Sequence, residues 1–197
     1  ITGIRALRDN YIWMISEQKT GQAVVVDPGE AQPVLTALAE RQLQLAGILV
    51  THHHWDHTGG VPELTAHTRA TVYGPAREAK DVVDVPLADG DRCTIPSLGL
   101  AYQVLEIPGH TLGHIALVGH GHAFTGDTLF AAGCGRVFEG TPEQMLNSLN
   151  RLAALPDDTR IYCGHEYTRA NCQFAQMVEP DNAALQARLL ELENMGD

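Results

Sequence analysis

The sequence predicts an α/β fold, with strands buried on both faces and helices packed outside them. Three observations predict it. Short apolar runs alternate with segments of helical period along the 197 residues. Two of those runs, "QAVVVDPG" (22–29) and "AGILVT" (46–51), show little polar–apolar alternation, the mark of strands covered on both sides. Several runs also end at histidine or aspartate, which places a common site at one end of the strands.

The elements follow in order. Residues 22–29 read as a buried strand stopped by an Asp-Pro-Gly turn. Residues 31–42 place Val34, Leu35, Leu38 and Ala39 on one helical face, and 46–51 form the second buried strand. "LAYQVLEIPG" (100–109) and "HAFTGD" (122–127) are further strands. The clearest helix is 141–155. Thr141 and Gln144 make a capping box, Pro142 takes the first helical position, and Met145, Leu146, Leu149, Leu152 and Ala153 form a stripe. "TRIYCGH" (159–165) is a strand, 168–178 a helix, and Asn182 to Glu193 a last amphipathic helix carrying Leu185, Leu189 and Leu192. There is no long linker, low-complexity tract or internal repeat.

A chain of this length buries a full core without disulfides or a structural metal, so a bound metal is expected to work rather than to hold up the fold. The net charge of −11 disfavours nucleic-acid partners. The N-terminal "ITGIRALRDNYIW" has no apolar signal core, and no run approaches the length of a membrane span. Cys93, Cys134, Cys163 and Cys172 form no C-x-x-C pair and read as reduced thiols, Cys93 and Cys172 as small buried apolar residues. A cytoplasmic monomer is expected, without a membrane or nucleic-acid partner.

Chemistry concentrates in "THHHWDHTGG" (51–60). Four apparent strand ends deliver a metal-binding side chain: "GILVT" runs into "HHHWDH", "VLEIP" into His110, "HAFTG" into Asp127, and "RIYCG" into His165. Positions two apart in a loop face the same way, so His52 and His54 can share one ion. Asp56 and His57 can serve a neighbouring one. Seven ligands are too many for one tetrahedral ion and point to two ions sharing a carboxylate. His53 reads as a hydrogen-bonding supporter and His114 as structural, while His67, His120 and His122 read as solvated. Asp27 is equally a turn residue and a carboxylate orienting a histidine. Gly59 and Gly60 read as allowing a tight turn.

H52-x-H54-x-D56-H57 with His110, Asp127 and His165 resembles the metallo-β-lactamase superfamily signature, over nearly all of the chain. Within it, "DNYIW" (9–13), "PGHTLGHI" (108–115), "GDTLFAAGCGRVFEG" (126–140) and "HEYT" (165–168) resemble the glyoxalase II, or hydroxyacylglutathione hydrolase, family. The resemblance implies a four-layer αββα sandwich. It implies that His52, His54 and His110 hold one ion, that Asp56, His57 and His165 hold the other, and that Asp127 bridges them. Two zinc ions are implied, with iron or manganese as other occupants. Asp56 would be catalytic, orienting the attacking water and taking its proton, and the substrate would be an S-(2-hydroxyacyl)glutathione. Arg136 and Tyr167 match positions that contact the glutathione part, and Phe138 stands where some relatives have tyrosine.

The resemblance also divides the chain into a catalytic domain, 1–165, and helices, 166–197, that form the start of a substrate-binding domain. That family carries a longer C-terminal helical region with basic residues, whereas the final stretch here, "ALQARLLELENMGD" (184–197), has Arg188 as its cation. Two other readings therefore stand beside thioester hydrolysis. One is another hydrolase of this fold, acting on a lactone, a β-lactam or another ester. The other is a non-catalytic metal-binding remnant.

Overall fold

In the computed structural model, residues 1–195 are described; Gly196 and Asp197, the end of the 166–197 segment, lie outside the described residues. The chain runs β1 (Thr2–Ala6), β2 (Asn10–Glu17), β3 (Gln22–Val26), α1 (Ala31–Arg41), β4 (Gln44–Leu49), α2 (Trp55–Thr58), α3 (Val61–Thr68), β5 (Thr71–Pro75), β6 (Val85–Leu87) and β7 (Arg92–Ile95). It continues through β8 (Leu100–Glu106), β9 (Ile115–Gly119), β10 (His122–Gly126), β11 (Leu129–Phe130), β12 (Gly133–Cys134), α4 (Pro142–Ala153), β13 (Arg160–Cys163), α5 (Thr168–Val178) and α6 (Ala183–Asn194).

Two sheets face each other. The first has the order β1-β2-β3-β4-β5-β6 and the second β13-β10-β9-β8-β7; β11 and β12 form a small ribbon. Strands β3 to β6 are parallel, as are β10 and β13, while the hairpins are antiparallel. Successive side chains of a strand point to opposite faces, so β3 sends Val24 and Val26 inward and Ala23 and Val25 outward. The inward pair packs with Leu49 against Tyr102, Leu117 and Phe124 of the second sheet. The outward pair packs with Ile48 under Val34 and Leu38 of α1 and Leu64 of α3. On the far face of the second sheet, Ala116 and Ile107 pack under Leu152 of α4. The expected α-β-β-α layering is thus present as three separate apolar cores.

Two helix faces differ from expectation. α1 buries Val34, Ala37 and Leu38, leaving Ala39 exposed. α4 has the expected Thr141–Gln144 capping box, but its buried face is Met145, Ser148 and Leu152, and Leu146 is 58% exposed. Ser148 replaces Leu146 because its hydroxyl donates to the Pro108 carbonyl at 2.7 Å, tying the helix to the loop that carries His110. The predicted helix 168–178 coincides with α5. Among the described residues no helix is long and apolar enough to cross a membrane, and the four cysteines are free, with Cys93 and Cys172 buried.

Candidate metal centre

The expected strand ends converge. β4 leads into His52, the loop after β8 carries His110, and Asp127 and His165 follow β10 and β13. The chain leaves β4 through Thr51–His54 and enters the short helix α2, whose first turn holds Asp56 and His57. Two sets of three side chains result, His52 with His54 and His110, and Asp56 with His57 and His165. In the first, His54 Nδ1 lies 3.1 Å from both His52 Nε2 and His110 Nε2. In the second, His57 Nε2 and His165 Nε2 are 3.3 Å apart, and Asp56 Oδ2 is 3.5 and 3.4 Å from them. Asp127 stands between the sets. Its Oδ2 is 3.4 Å from His110 Nε2 and 3.2 Å from His165 Nε2, and its Oδ1 is 3.4 Å from His57 Nε2.

Nitrogen and oxygen ligands about 2.0–2.2 Å from a tetrahedral ion lie about 3.3–3.6 Å from one another. The Asp56–His57–His165 separations of 3.3, 3.4 and 3.5 Å fall in that range, and the three-histidine set, at 3.1 Å, is slightly tighter. Three imidazole nitrogens cannot satisfy each other in pairs, because each ring offers only one lone pair when neutral. Asp127 Oδ1, buried, has no hydrogen-bond partner among the described residues. The donor set, imidazole and carboxylate without thiolate, suits a borderline or hard divalent cation.

The outward nitrogens explain why the rings point as they do. His52 Nδ1 meets Thr51 Oγ1 at 3.1 Å, and that hydroxyl donates to Asp27 Oδ2 at 2.7 Å. His57 Nδ1 is 3.2 Å from the same Asp27 oxygen, off the line of a good hydrogen bond. His110 Nδ1 reaches the Arg136 carbonyl at 2.8 Å, and His165 Nδ1 reaches Asp9 Oδ1 at 2.9 Å. Each partner is an oxygen acceptor, so in the neutral ring it favours the hydrogen on the outer nitrogen and turns the inner lone pair toward the centre. Asn10 Nδ2 donates to Asp56 Oδ2 at 3.1 Å. Asp27 is thus the orienting carboxylate. It sits at φ +53°, a left-handed conformation that aspartate tolerates better than most residues.

The electrostatics divide between the two sets. Burial pushes the His52 imidazole far below its ordinary value, and burial with the neighbouring His110 lowers His54. Burial would lower His57 too, but Asp127 and Asp27 outweigh it and push it up to about 10. His165, opposed by burial, is likewise raised to about 10 by Asp127, Asp56 and Asp9. Asp56 and Asp127, despite burial, are held far below the usual carboxylate range by His165 and His57.

Beside the two sets lies a cleft of about 560 Å³, lined among others by Cys134, Arg136, Phe138, Tyr167 and Asn171. The Tyr167 ring stacks parallel on His165 at 4.9 Å. Phe138 lies 5.2 Å from the His110 ring and edge-on to His54 at 6.0 Å, leaving it 62% exposed. Arg136 lies at the cleft, and its carbonyl also holds His110.

Residues 7–165 match the family model of the metallo-β-lactamase superfamily. The hydroxyacylglutathione hydrolase of Alkalilimnicola ehrlichii is 57% identical over 193 residues, covering 98% of this chain and 75% of that protein. The chain belongs to the hydroxyacylglutathione hydrolases of the metallo-β-lactamase superfamily. Among solved structures, ETHE1 from Myxococcus xanthus superposes with a TM-score of 0.73 at 37% identity, covering 81% of this chain and 72% of that one. TTHA1623 in a di-iron-bound form gives 0.68 at 28% identity, covering 84% and 92%.

In this member of the hydroxyacylglutathione hydrolases, the histidines outside the two sets have distinct places. His53 turns away and pairs with Glu139 at 2.7 Å. His114 stacks on His52 at 4.6 Å and accepts from the Asp127 amide at 3.1 Å, so it shapes the site without facing it. Burial pushes its imidazole down to about 3. His67 and His120 are exposed as expected, but His122 is half-buried and bonded to the Tyr102 hydroxyl at 2.9 Å. Gly59 and Gly60 form the expected tight turn, between α2 and α3. Both have negative φ, and what requires glycine there is close packing. A Cβ at Gly60 would lie 2.7 Å from the Pro28 carbonyl oxygen, and one at Gly59 2.8 Å from that of Gly29. Sequence reasoning missed Asp9 and Asn10 as supports, although both lie in the "DNYIW" motif.

Proposed function

We propose that this chain hydrolyses S-(2-hydroxyacyl)glutathione thioesters, such as S-D-lactoylglutathione, to glutathione and a 2-hydroxy acid. That activity would place it in methylglyoxal detoxification. The carrying observation is the 57% identity to a hydroxyacylglutathione hydrolase, supported by two intact ligand sets beside a cleft. His52, His54 and His110 would hold one divalent cation, and Asp56, His57 and His165 a second, with Asp127 shared. Zinc suits the donors, and iron or manganese would be accepted by the same nitrogen and oxygen set.

Bound divalent cations lower the pKa of water from about 15.7 toward about 7 and polarise a carbonyl oxygen. The chain's own residues do the rest. Asp56, held ionised and steadied by Asn10, accepts a hydrogen bond from the attacking water and receives its proton. Arg136 pairs with a glutathione carboxylate, and Tyr167 and Phe138 contact the glutathione part of the substrate beside it. Phe138 has no hydroxyl, so it contributes contact area rather than a hydrogen bond. Helix α5 extends this wall. Tyr167 precedes α5, and Asn171 donates to the Ala131 carbonyl at 3.1 Å. Segment 166–197 is accordingly read as the beginning of the substrate-binding region, and a monomer in the cytoplasm satisfies this chemistry.

The test is thiol release from S-D-lactoylglutathione, followed with a thiol dye, with metal content measured on the same sample. Two metal ions per chain and thiol release that vanishes on chelation are expected. Metal-replete protein that releases no thiol from this substrate would overturn the reading.

A further inference from the structure

Two carboxylates outside the site, Glu78 and Glu139, join the loops that carry the three-histidine set. Glu78 follows β5 and Glu139 precedes α4, so neither lies on a ligand-bearing loop. Glu78 Oε1 accepts from the His53 amide at 3.1 Å and from the Thr111 hydroxyl at 2.7 Å, and its Oε2 accepts from the Gly113 amide at 2.7 Å. Glu139 Oε1 meets His53 Nε2 at 2.7 Å, and its Oε2 accepts from the Leu112 amide at 3.0 Å. Each carboxylate thus bonds once to the loop containing His52 and His54 and at least once to the loop following His110. On the opposite side, the same two segments are joined by the backbone bond from the Ile115 amide to the Thr51 carbonyl, 2.9 Å. The histidines sit between a backbone tie at the base and a double carboxylate tie at the tip.

We infer that Glu78 and Glu139 are positioning residues for the cation held by His52, His54 and His110, acting by clamping residues 51–54 to residues 110–113. The inference rests on the reading of those three histidines as ligands. Glu78 is the less replaceable partner, because both of its oxygens accept from backbone amides and glutamine would present an N–H to one of them. Glu139 differs. A glutamine there can accept from the Leu112 amide with its oxygen and donate to His53 Nε2 with its nitrogen. Gly113 gives an independent handle, since a Cβ there would lie 2.7 Å from Glu78 Oε2 and push the carboxylate away.

The test is zinc competition against a coloured chelator on the full chain, resolving the two binding steps. Variant His54→Ala identifies which step belongs to the three-histidine set. Glu78→Ala, Glu139→Ala and Gly113→Ala should each weaken that step by about 10–100-fold, the range for lost outer supports of metal ligands. The other step should stay within about threefold, which excludes general loosening of the fold. Glu139→Gln should stay close to the parent protein in both steps. The clamp is refuted if the alanine variants at 78 and 139 leave the three-histidine step unchanged, if both steps weaken together, or if Glu139→Gln behaves like Glu139→Ala. A parent protein that binds no zinc would instead overturn the underlying metal reading, and the clamp with it.

Discussion

Replacing Asp27 with alanine is expected to weaken both halves of the centre, because one carboxylate supports a histidine of each. Its Oδ1 accepts from the Thr51 amide at 2.8 Å, and its Oδ2 accepts from the Thr51 hydroxyl and stands against His57 Nδ1. Asp27 is 3% exposed and Thr51 and His57 are 0% and 1%, so water does not compensate freely for the lost acceptor. A buried donor left unpaired costs about 1–3 kcal/mol, and the two Thr51 donors together about 2–6. Alanine at φ +53° adds roughly 1 kcal/mol of backbone strain. The expected loss is therefore about 3–7 kcal/mol, set against a total stability of about 5–15 kcal/mol for a folded domain.

Asp27→Asn should lose less, about 1–3 kcal/mol, because asparagine accepts the left-handed conformation and keeps one oxygen for the Thr51 amide. The assay is urea unfolding of metal-free protein, followed by tryptophan fluorescence, with zinc affinity measured alongside. Both zinc-binding steps should weaken, since His52 is oriented through Thr51 and His57 directly. A stability change under about 1 kcal/mol in Asp27→Ala, or weakening of only one zinc step, would refute the argument.

Other expectations are more local. Asp127→Asn should reduce metal content and turnover together, because Asp127 faces both ligand sets; metal analysis and thiol release on one sample check it. Arg136→Ala should raise KM for S-D-lactoylglutathione about tenfold with little change in kcat, since an exposed charge-assisted bond fixes substrate without entering the chemistry. An unchanged KM would remove Arg136 from the substrate site. Burial pushes the Cys93 and Cys163 thiols up to about 11, so at pH 8 they stay protonated and unreactive, and reactivity appears only as pH rises toward 11. Exposed Cys134 should therefore react first with a thiol reagent at pH 8, and peptide mapping of the labelled protein would show otherwise if Cys93 or Cys163 were modified ahead of it.

The legible parts of the sequence were those where one physical requirement dominates. The strands 22–26 and 44–49 are apolar on both faces because helices cover one side and the second sheet the other. The capping box of α4 is local and needed no tertiary information. The ligand types announced themselves because imidazole and carboxylate crowded at strand ends have few other uses. What stayed hidden depended on contacts between distant segments. β1 and β2 carry mixed polarity, since Ile12 and Met14 enter the core under α1 while the residues between them, Tyr11 and Trp13, join an aromatic cluster with Tyr162. Leu146 gave way to Ser148 because the hydroxyl had a carbonyl to reach on another loop. His122 was misread as solvated because its partner, Tyr102, lies on the neighbouring region of a different strand.

The supports of the site follow the same logic and explain why the hairpin joining β1 to β2 belongs to a candidate metal centre more than 40 residues away. A histidine that offers its inner lone pair to a cation must keep its hydrogen on the outer nitrogen, so it needs an outer acceptor for that hydrogen. Asp9 supplies that acceptor for His165, 156 residues distant, and Asn10 holds Asp56 from the adjacent position. The backbone secures this pair, because Glu166 donates to the Asp9 carbonyl and the Tyr11 amide donates to the Gly164 carbonyl. The Asp56–His57–His165 set is therefore built from three segments locked by hydrogen bonds before any ion arrives. Asp9→Ala should weaken the zinc step of that set while leaving the three-histidine step in place, the mirror image of the effect expected for Glu78 and Glu139. Equal weakening of both steps in Asp9→Ala would show that the hairpin supports the fold as a whole instead of one half of the centre.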